Sequence, residues 1–119
     1  SPERVALGHV EVSPWVDVLR VVKKGVMLIF TNFGGSQYVP EDMVIAQVAD
    51  LVRRGCLKQV MLSVDMYLYL RNGRLVYRWP GGYVQLAHRV VDKLVQAGLK
   101  PSHIETILHA NPVRHLAWQ

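Results

Sequence analysis

His9 and Asp65 are the residues of this sequence whose types and surroundings could do chemistry. Each closes a short apolar run: His9 follows Val5–Leu7 and Gly8, and Asp65 ends the stretch Gln59–Asp65. Taking an ionised carboxylate out of water is costly unless a cation or strong donors receive it. An aspartate at the end of an apolar run therefore marks a place where something receives its charge. In α/β proteins, ligands bind at the carboxyl ends of parallel strands. If the two runs are parallel strands, an imidazole and a carboxylate emerge on one rim, which is the beginning of a divalent-metal site. Two donors do not complete one, since zinc takes three or four protein ligands. Plainer readings stand beside this one. Asp65 can cap the next segment or open a turn, and His9 can bond a loop carbonyl.

A second constellation follows Asp65 directly. Tyr67, Tyr69, Arg71, Arg74, Tyr77, Arg78 and Trp79 interleave aromatic and basic side chains over a segment, Met66–Pro80, that reads as a loop. Such a loop suits a lid over a site at the strand ends, with Tyr67, Arg78 and Trp79 as its substrate-pocket residues. The same mixture can stack bases and bind phosphates, through Arg71, Arg74 and Arg78. No nucleic-acid-binding signature accompanies it, so nucleic acid is disfavoured as a partner. Simple solvation of the loop remains a third reading.

Other groups carry less. Gly34-Gly35-Ser36 matches neither a P-loop nor a dinucleotide fingerprint and reads as a turn. Gly81-Gly82 reads as a flexible entry to a helix. There is no Gly-x-Ser-x-Gly elbow to support serine hydrolase chemistry. His88, His103, His109 and His115 form no ligand pattern and are expected at the surface. Cys56, beside a helix-ending glycine, is expected to be buried and inert.

The elements that must position these residues follow from periodicity. Pro14 suits a first helical turn behind a Ser13 cap. Trp15, Val18, Leu19 and Val22 recur at helical spacing before Gly25. Val26–Phe30 is apolar without alternation, the mark of a strand covered on both faces. Thr31–Val39 is a loop. A second helix starts at Pro40, with Glu41 and Asp42 in its first turn and Val44, Val48, Leu51 and Val52 facing inward, and stops at Gly55. After Asp65, a third helix spans Tyr83–Ala97. Ser102 caps a short helix, and Asn111-Pro112 caps a last turn with Leu116 and Trp118 to pack. The result is βαβαβα with a helical tail, which implies parallel strands and right-handed crossovers. An all-parallel sheet of three strands leaves edges that need partners, and three βα units cannot close an eight-stranded barrel of about 250 residues.

Composition agrees with a globular domain. Half of the 119 residues are hydrophobic and 19% are charged, which argues against disorder. No apolar run reaches the roughly 18 residues of a membrane span. The single cysteine excludes an internal disulfide and a cysteine zinc cluster; with no secretory profile at Ser1-Pro2-Glu3-Arg4, a reducing, cytoplasmic setting is expected. The absence of an initiator Met suggests a processed chain or a piece of a longer one. A net charge of +5, from fourteen basic against nine acidic residues, is read as generic solubility.

Four phrases, in order and spacing, carry a family resemblance. Gly8-His9, then Gly25-Val26-Met27-Leu28-Ile29-Phe30-Thr31-Asn32-Phe33-Gly34, then Val60-Met61-Leu62-Ser63-Val64-Asp65, and finally Ile104 to Arg114 with its Asn111-Pro112-Val113-Arg114 tail resemble the C-terminal part of the phosphotriesterase family. That family lies in the amidohydrolase superfamily and includes lactonases similar to phosphotriesterase. The resemblance implies an α/β fold, strands six to eight of a TIM (β/α)8 barrel, as a single partial domain over residues 1–119. It implies a binuclear divalent-metal centre, zinc by preference, whose bound hydroxide hydrolyses ester, lactone, amide or phosphotriester bonds. His9 matches the strand-six histidine ligand. Asp65 matches the strand-eight aspartate, both ligand and catalytic proton handler. The family's strand-one histidines, bridging lysine and strand-five histidine have no counterpart here. Ser63-Val64-Asp65 stands where many members have Ser-His-Asp or Ser-Asn-Asp, Thr31 where an aspartate is common, and Val10 where a polar residue is frequent. The expected partners are a small ester or lactone and a complementary N-terminal barrel segment, or self-association. Alone, the chain is expected to be inactive. The competing expectation is a non-catalytic interaction module built on the same fold.

Overall fold

The unbroken apolar run before Thr31 takes the centre of a three-stranded parallel sheet, where a strand is flanked on both edges. In the computed structural model, which describes residues 1–34, 38–78 and 81–117, β1 (Ala6–Gly8), β2 (Met27–Phe30) and β3 (Val60–Leu62) lie in the order β1–β2–β3. Ala6 pairs with Met27 and Gly8 with Ile29, while Leu28 pairs with Val60 and Phe30 with Leu62. Side chains alternate along each strand. Leu28, Phe30 and Val60, all fully buried, enter the helix-packed core, and Met27, Ile29 and Met61 alternate to the other face.

Two helices make the crossovers. Helix α1 (Trp15–Val22) packs Val18 and Val22 inward. Pro14, not Ser13, occupies its N-cap position. Helix α2 (Glu41–Arg53) buries Val44, Ile45, Val48, Ala49 and Leu51, with Val52 half-buried. Gly25 and Gly55 carry the chain out of these helices at φ +88° and +79°, where a β-carbon would be strained. Each fully buried Leu or Phe in this core contributes about 1.5–3 kcal/mol.

The segment after Asp65 departs from expectation. Instead of a plain loop, β4 (Leu68–Arg71) and β5 (Arg74–Tyr77) form an antiparallel hairpin. Its turn is Asn72-Gly73, both at positive φ (53° and 74°), the two-residue geometry that matches strand twist. Helical structure then resumes at Gly82 with 3-10 geometry to Gln85. A π turn, Leu86–Val90, leads into α3 (Val91–Gln96). Helix α4 (Pro101–Glu105) continues through the π turn Thr106–Ala110 into α5 (Asn111–Leu116).

Several local expectations are corrected. Lys100, rather than Ser102, caps α4, because Pro101 already fills the first helical position. Asn111 caps nothing: its backbone is helical and its side chain is fully buried. His88 and His109 are exposed, but His103 and His115 are half-buried. Cys56 is also only half-buried. Leu116 is 72% exposed, so it does not pack. Trp118, Trp79 and the Gly35-Ser36 part of the expected turn lie outside the described residues. Among the described residues, no helix is long and apolar enough to cross a membrane.

Candidate functional site

The parallel register sends the ends of β1, β2 and β3 to one rim. His9 is the first residue beyond β1 and Asp65 the third beyond β3. Both are tied to Thr31, the first residue beyond β2. His9 Nδ1 lies 2.7 Å from the Thr31 hydroxyl oxygen, and the Asp65 amide donates to the Thr31 carbonyl at 3.1 Å. The last rung of the ladder is the Ser63 amide on the Phe30 carbonyl; the Asp65 bond falls one residue out of that register, so Asp65 is held at the rim by a local bond just past the strand. His9 is held differently. Its backbone is left-handed, φ 54° and ψ 34°, a conformation uncommon outside glycine, though histidine, asparagine and aspartate adopt it more often than other residues.

Glu11, which the sequence reading passed over, sits beneath this pair. Its carboxylate is fully buried and receives the Thr31 hydroxyl at 2.9 Å. The Thr31 amide approaches both carboxylate oxygens at 3.3 Å. The signal was available: Val10-Glu11-Val12 sets one acid between two apolar residues just past a strand, the same anomaly that singled out Asp65.

Asp65 has its own cation. Arg78, just past β5, places Nη1 2.6 Å from Asp65 Oδ2. Arg78 is largely buried and Asp65 about two-fifths exposed, at 15% and 43%. The Arg78 guanidinium also stacks over the Tyr67 ring at 5.1 Å, and its amide donates to the Tyr67 carbonyl. Tyr67 meets Tyr69 edge-on at 6.1 Å. Arg78, Tyr67 and Asp65 therefore form one cluster at the base of the hairpin, while the hairpin residues Leu70 and Leu75 stand about 70% exposed at its tip.

A further set of bonds fixes the rim loops. Glu41, at the start of α2, receives the Gly34 amide at 2.9 Å and pairs with Arg89 and with Lys93. Burial alone would raise the Glu41 pKa, but Arg89, Lys93 and the Gly34 amide outweigh it and hold it at about 2. Buried Gln85 donates to the Phe33 carbonyl, and Arg89 donates to Gln85. Gly34 has no room for a side chain: a β-carbon there would meet the Gln85 amide at 2.4 Å. The loop after β2 and the chain returning from the hairpin are thus locked together.

As a metal site this is a half-set. With Nδ1 of His9 engaged by Thr31 and Oδ2 of Asp65 by Arg78, Nε2 and Oδ1 remain as donors. Imidazole nitrogen and carboxylate oxygen are the right types for a divalent transition metal. No group of three or more His, Cys, Asp or Glu residues able to hold a metal occurs among the described residues.

The profile of the phosphotriesterase family matches residues 3–116. The chain belongs to the phosphotriesterase family. It is 30% identical over 110 residues to the "Phosphotriesterase homology protein" of Escherichia coli, covering 92% of this chain and 37% of that protein. It is likewise 30% identical over 123 residues to the "Phospho-furanose lactonase" of Mycoplasmopsis synoviae, covering 99% of this chain and 35% of that one. An amidohydrolase structure from Mycoplasma synoviae superposes with a TM-score of 0.84 at 26% identity, over all of this chain and 35% of its own. The chain thus spans little more than a third of the length of the curated relatives it matches. The fold is a partial TIM barrel of the family's type, with its three parallel strands and their helices, and the family is in general one of metal-dependent hydrolases.

Proposed function

We propose that this chain is the C-terminal part, one partial domain over residues 1–119, of a hydrolase of ester, lactone, amide or phosphotriester bonds that works with a divalent metal, zinc by preference. The observation that carries the reading is the meeting of His9 and Asp65 at Thr31, on the carboxyl rim of a parallel sheet. His9 Nε2 and Asp65 Oδ1 are the atoms that hold metal. A bound divalent ion supplies Lewis acidity and a water of lowered pKa.

The chain's own residues do the rest. Asp65 orients its carboxylate through Arg78 and is the group that accepts and returns a proton during turnover. Tyr67 and Arg78 wall the substrate side. The remaining ligands come from a complementary barrel segment. That segment would also pair the outer edges of β1 and β3, where Val5 and Leu7 lie 47% and 40% exposed beside an open ladder. The half-buried free thiol of Cys56 supports a reducing, cytoplasmic setting.

Lactone and ester hydrolysis in the presence of zinc or cobalt tests the reading. The chain alone is expected to be inactive, and the protein with its complementary segment active, with Asp65→Ala abolishing turnover. Turnover that survives Asp65→Ala would sink it. The competing reading, an interaction module that uses the same exposed edge, predicts a defined oligomer in light scattering without stoichiometric metal.

A further inference from the structure

Proton counting at the rim assigns a role to Glu11. A hydroxyl owns one proton, and a carboxylate can only accept. The Thr31 hydroxyl lies 2.9 Å from Glu11 Oε1 and is its donor there. With that proton committed to Glu11, the hydroxyl can offer only a lone pair to His9 Nδ1, 2.7 Å away on its other side. Nδ1 must therefore carry a hydrogen, and in the neutral ring Nε2 is left with the lone pair. The direct His9–Glu11 separation is 3.8 Å, too long for a hydrogen bond, so the carboxylate acts through the hydroxyl. Glu11 cannot swing away to serve otherwise, because its side chain is fully buried and its two oxygens also face the Thr31 amide.

We propose that Glu11 is a positioning residue: through the Thr31 hydroxyl it locks the His9 imidazole as the Nδ1–H tautomer and presents Nε2 as the ligating atom. The arrangement is a carboxylate–hydroxyl–imidazole relay, a longer form of the outer-shell carboxylate that orients metal-binding histidines in general. The inference deepens the proposed function, since Nε2 matters most if a metal binds. The relay itself stands on hydrogen bonds within this chain.

The test is the tautomer of His9 in the metal-free protein, read from histidine ring ¹⁵N resonances with the imidazole neutral and assigned by loss of the signal in His9→Ala. A hydrogen bond in a relay anchored on a carboxylate favours Nδ1–H by about tenfold or more, so Nδ1 is expected pyrrole-like and Nε2 pyridine-like. Thr31→Ser keeps the hydroxyl and should keep that pattern. Glu11→Gln keeps an oxygen acceptor and should retain most of it. Glu11→Leu frees the hydroxyl proton to point at Nδ1, and the tautomer ratio should fall to near parity or invert. A pyridine-like Nδ1 in the parent protein overturns the proposal without any variant, so a Glu11→Leu protein that fails to fold does not protect it. An unchanged ratio in folded Glu11→Leu overturns it as well. Cobalt binding is measured separately. If His9 is Nδ1–H but no cobalt binds even with the complementary segment present, the metal reading fails and the relay stands. If cobalt binds and Nδ1 is pyridine-like, the relay fails and the metal reading stands.

Discussion

Glu41 ties the rim loop to the third helix, and its ionisation makes the strength of that tie measurable. Its side chain is 12% exposed, while its partners Arg89 and Lys93 are 43% and 36% exposed. The carboxyl is held at about 2 against an ordinary 4.5. A depressed carboxyl pKa stabilises the folded state above the unfolded pKa, and that contribution is lost as pH falls through the folded pKa. Here the window runs from about 4.5 down to about 2. The full shift corresponds to about 3 kcal/mol. Because both cations are well solvated, the contribution is discounted to about 2 kcal/mol. Glu41→Gln removes the charge with little change of shape. At pH 7 it should cost about 2 kcal/mol, and at pH 2, where the parent carboxyl is half protonated, well under ~1 kcal/mol.

Urea unfolding followed by tryptophan fluorescence at pH 7, 5, 3.5 and 2 measures this, since urea, unlike guanidinium, does not screen ion pairs. With a slope of about 1–3 kcal/mol per molar, the midpoint of Glu41→Gln should lie roughly 1–2 M below the parent at pH 7, and the two should converge in acid. A gap below about 0.5 kcal/mol at pH 7, or one that persists unchanged to pH 2, would refute the assignment. The first outcome would mean that the pairs are surface contacts of little worth. The second would mean that Glu41 works through packing rather than charge.

Two further substitutions probe the ends of the sheet. Asn111 is fully buried and donates to the Leu57 and Val60 carbonyls at 2.8 and 2.7 Å; Asn111→Ala removes the side-chain donor of both, with the Leu57 carbonyl keeping the Val60 amide, and should cost about 1–3 kcal/mol in urea unfolding, so a loss below about 0.5 kcal/mol would contradict the assignment. Arg78→Met keeps the stem but removes the positive charge beside Asp65; with that like-charge repulsion gone, cobalt should bind up to about tenfold more tightly by calorimetry, while the unpaired Asp65 costs about 1 kcal/mol of stability, whereas weaker binding would show that the orienting role of Arg78 outweighs its charge.

What was legible in the sequence followed from period and position. The apolar run before Thr31 gave the central strand, and the spacing of valines and leucines gave α1 and α2, because those patterns report burial directly. The aspartate at the end of an apolar run pointed to the rim. The hairpin was missed although Asn72-Gly73 is a strong short-range turn signal. Its strands lack an apolar-inward alternation because almost nothing packs on them: Leu68–Arg71 is exposed throughout. Asn111 looked like a cap because Asn-Pro so often is one, and only the fold shows its amide reaching backbone 51 and 54 residues earlier. Glu11 was marked as an anomalous acid by Val10 and Val12 beside it, but its partner needed the tertiary structure. A carboxylate's partner 20 residues away leaves no mark in local spacing.

The two candidate ligands also explain how part of a barrel can carry an unfinished site and still fold. An unpaired charge at a strand end would destabilise the sheet it sits on, yet each ligand here already has a partner from its own chain. His9 rests on a hydroxyl that rests on a buried carboxylate, and Asp65 rests on a guanidinium from the hairpin base. Those partners differ in kind. The hydroxyl holds His9 by Nδ1 and leaves Nε2 open. The guanidinium holds Asp65 by Oδ2 and leaves Oδ1 open. Each candidate residue is therefore held through one atom by its own chain, His9 through a neutral hydroxyl and Asp65 through a charged pair at the hairpin base.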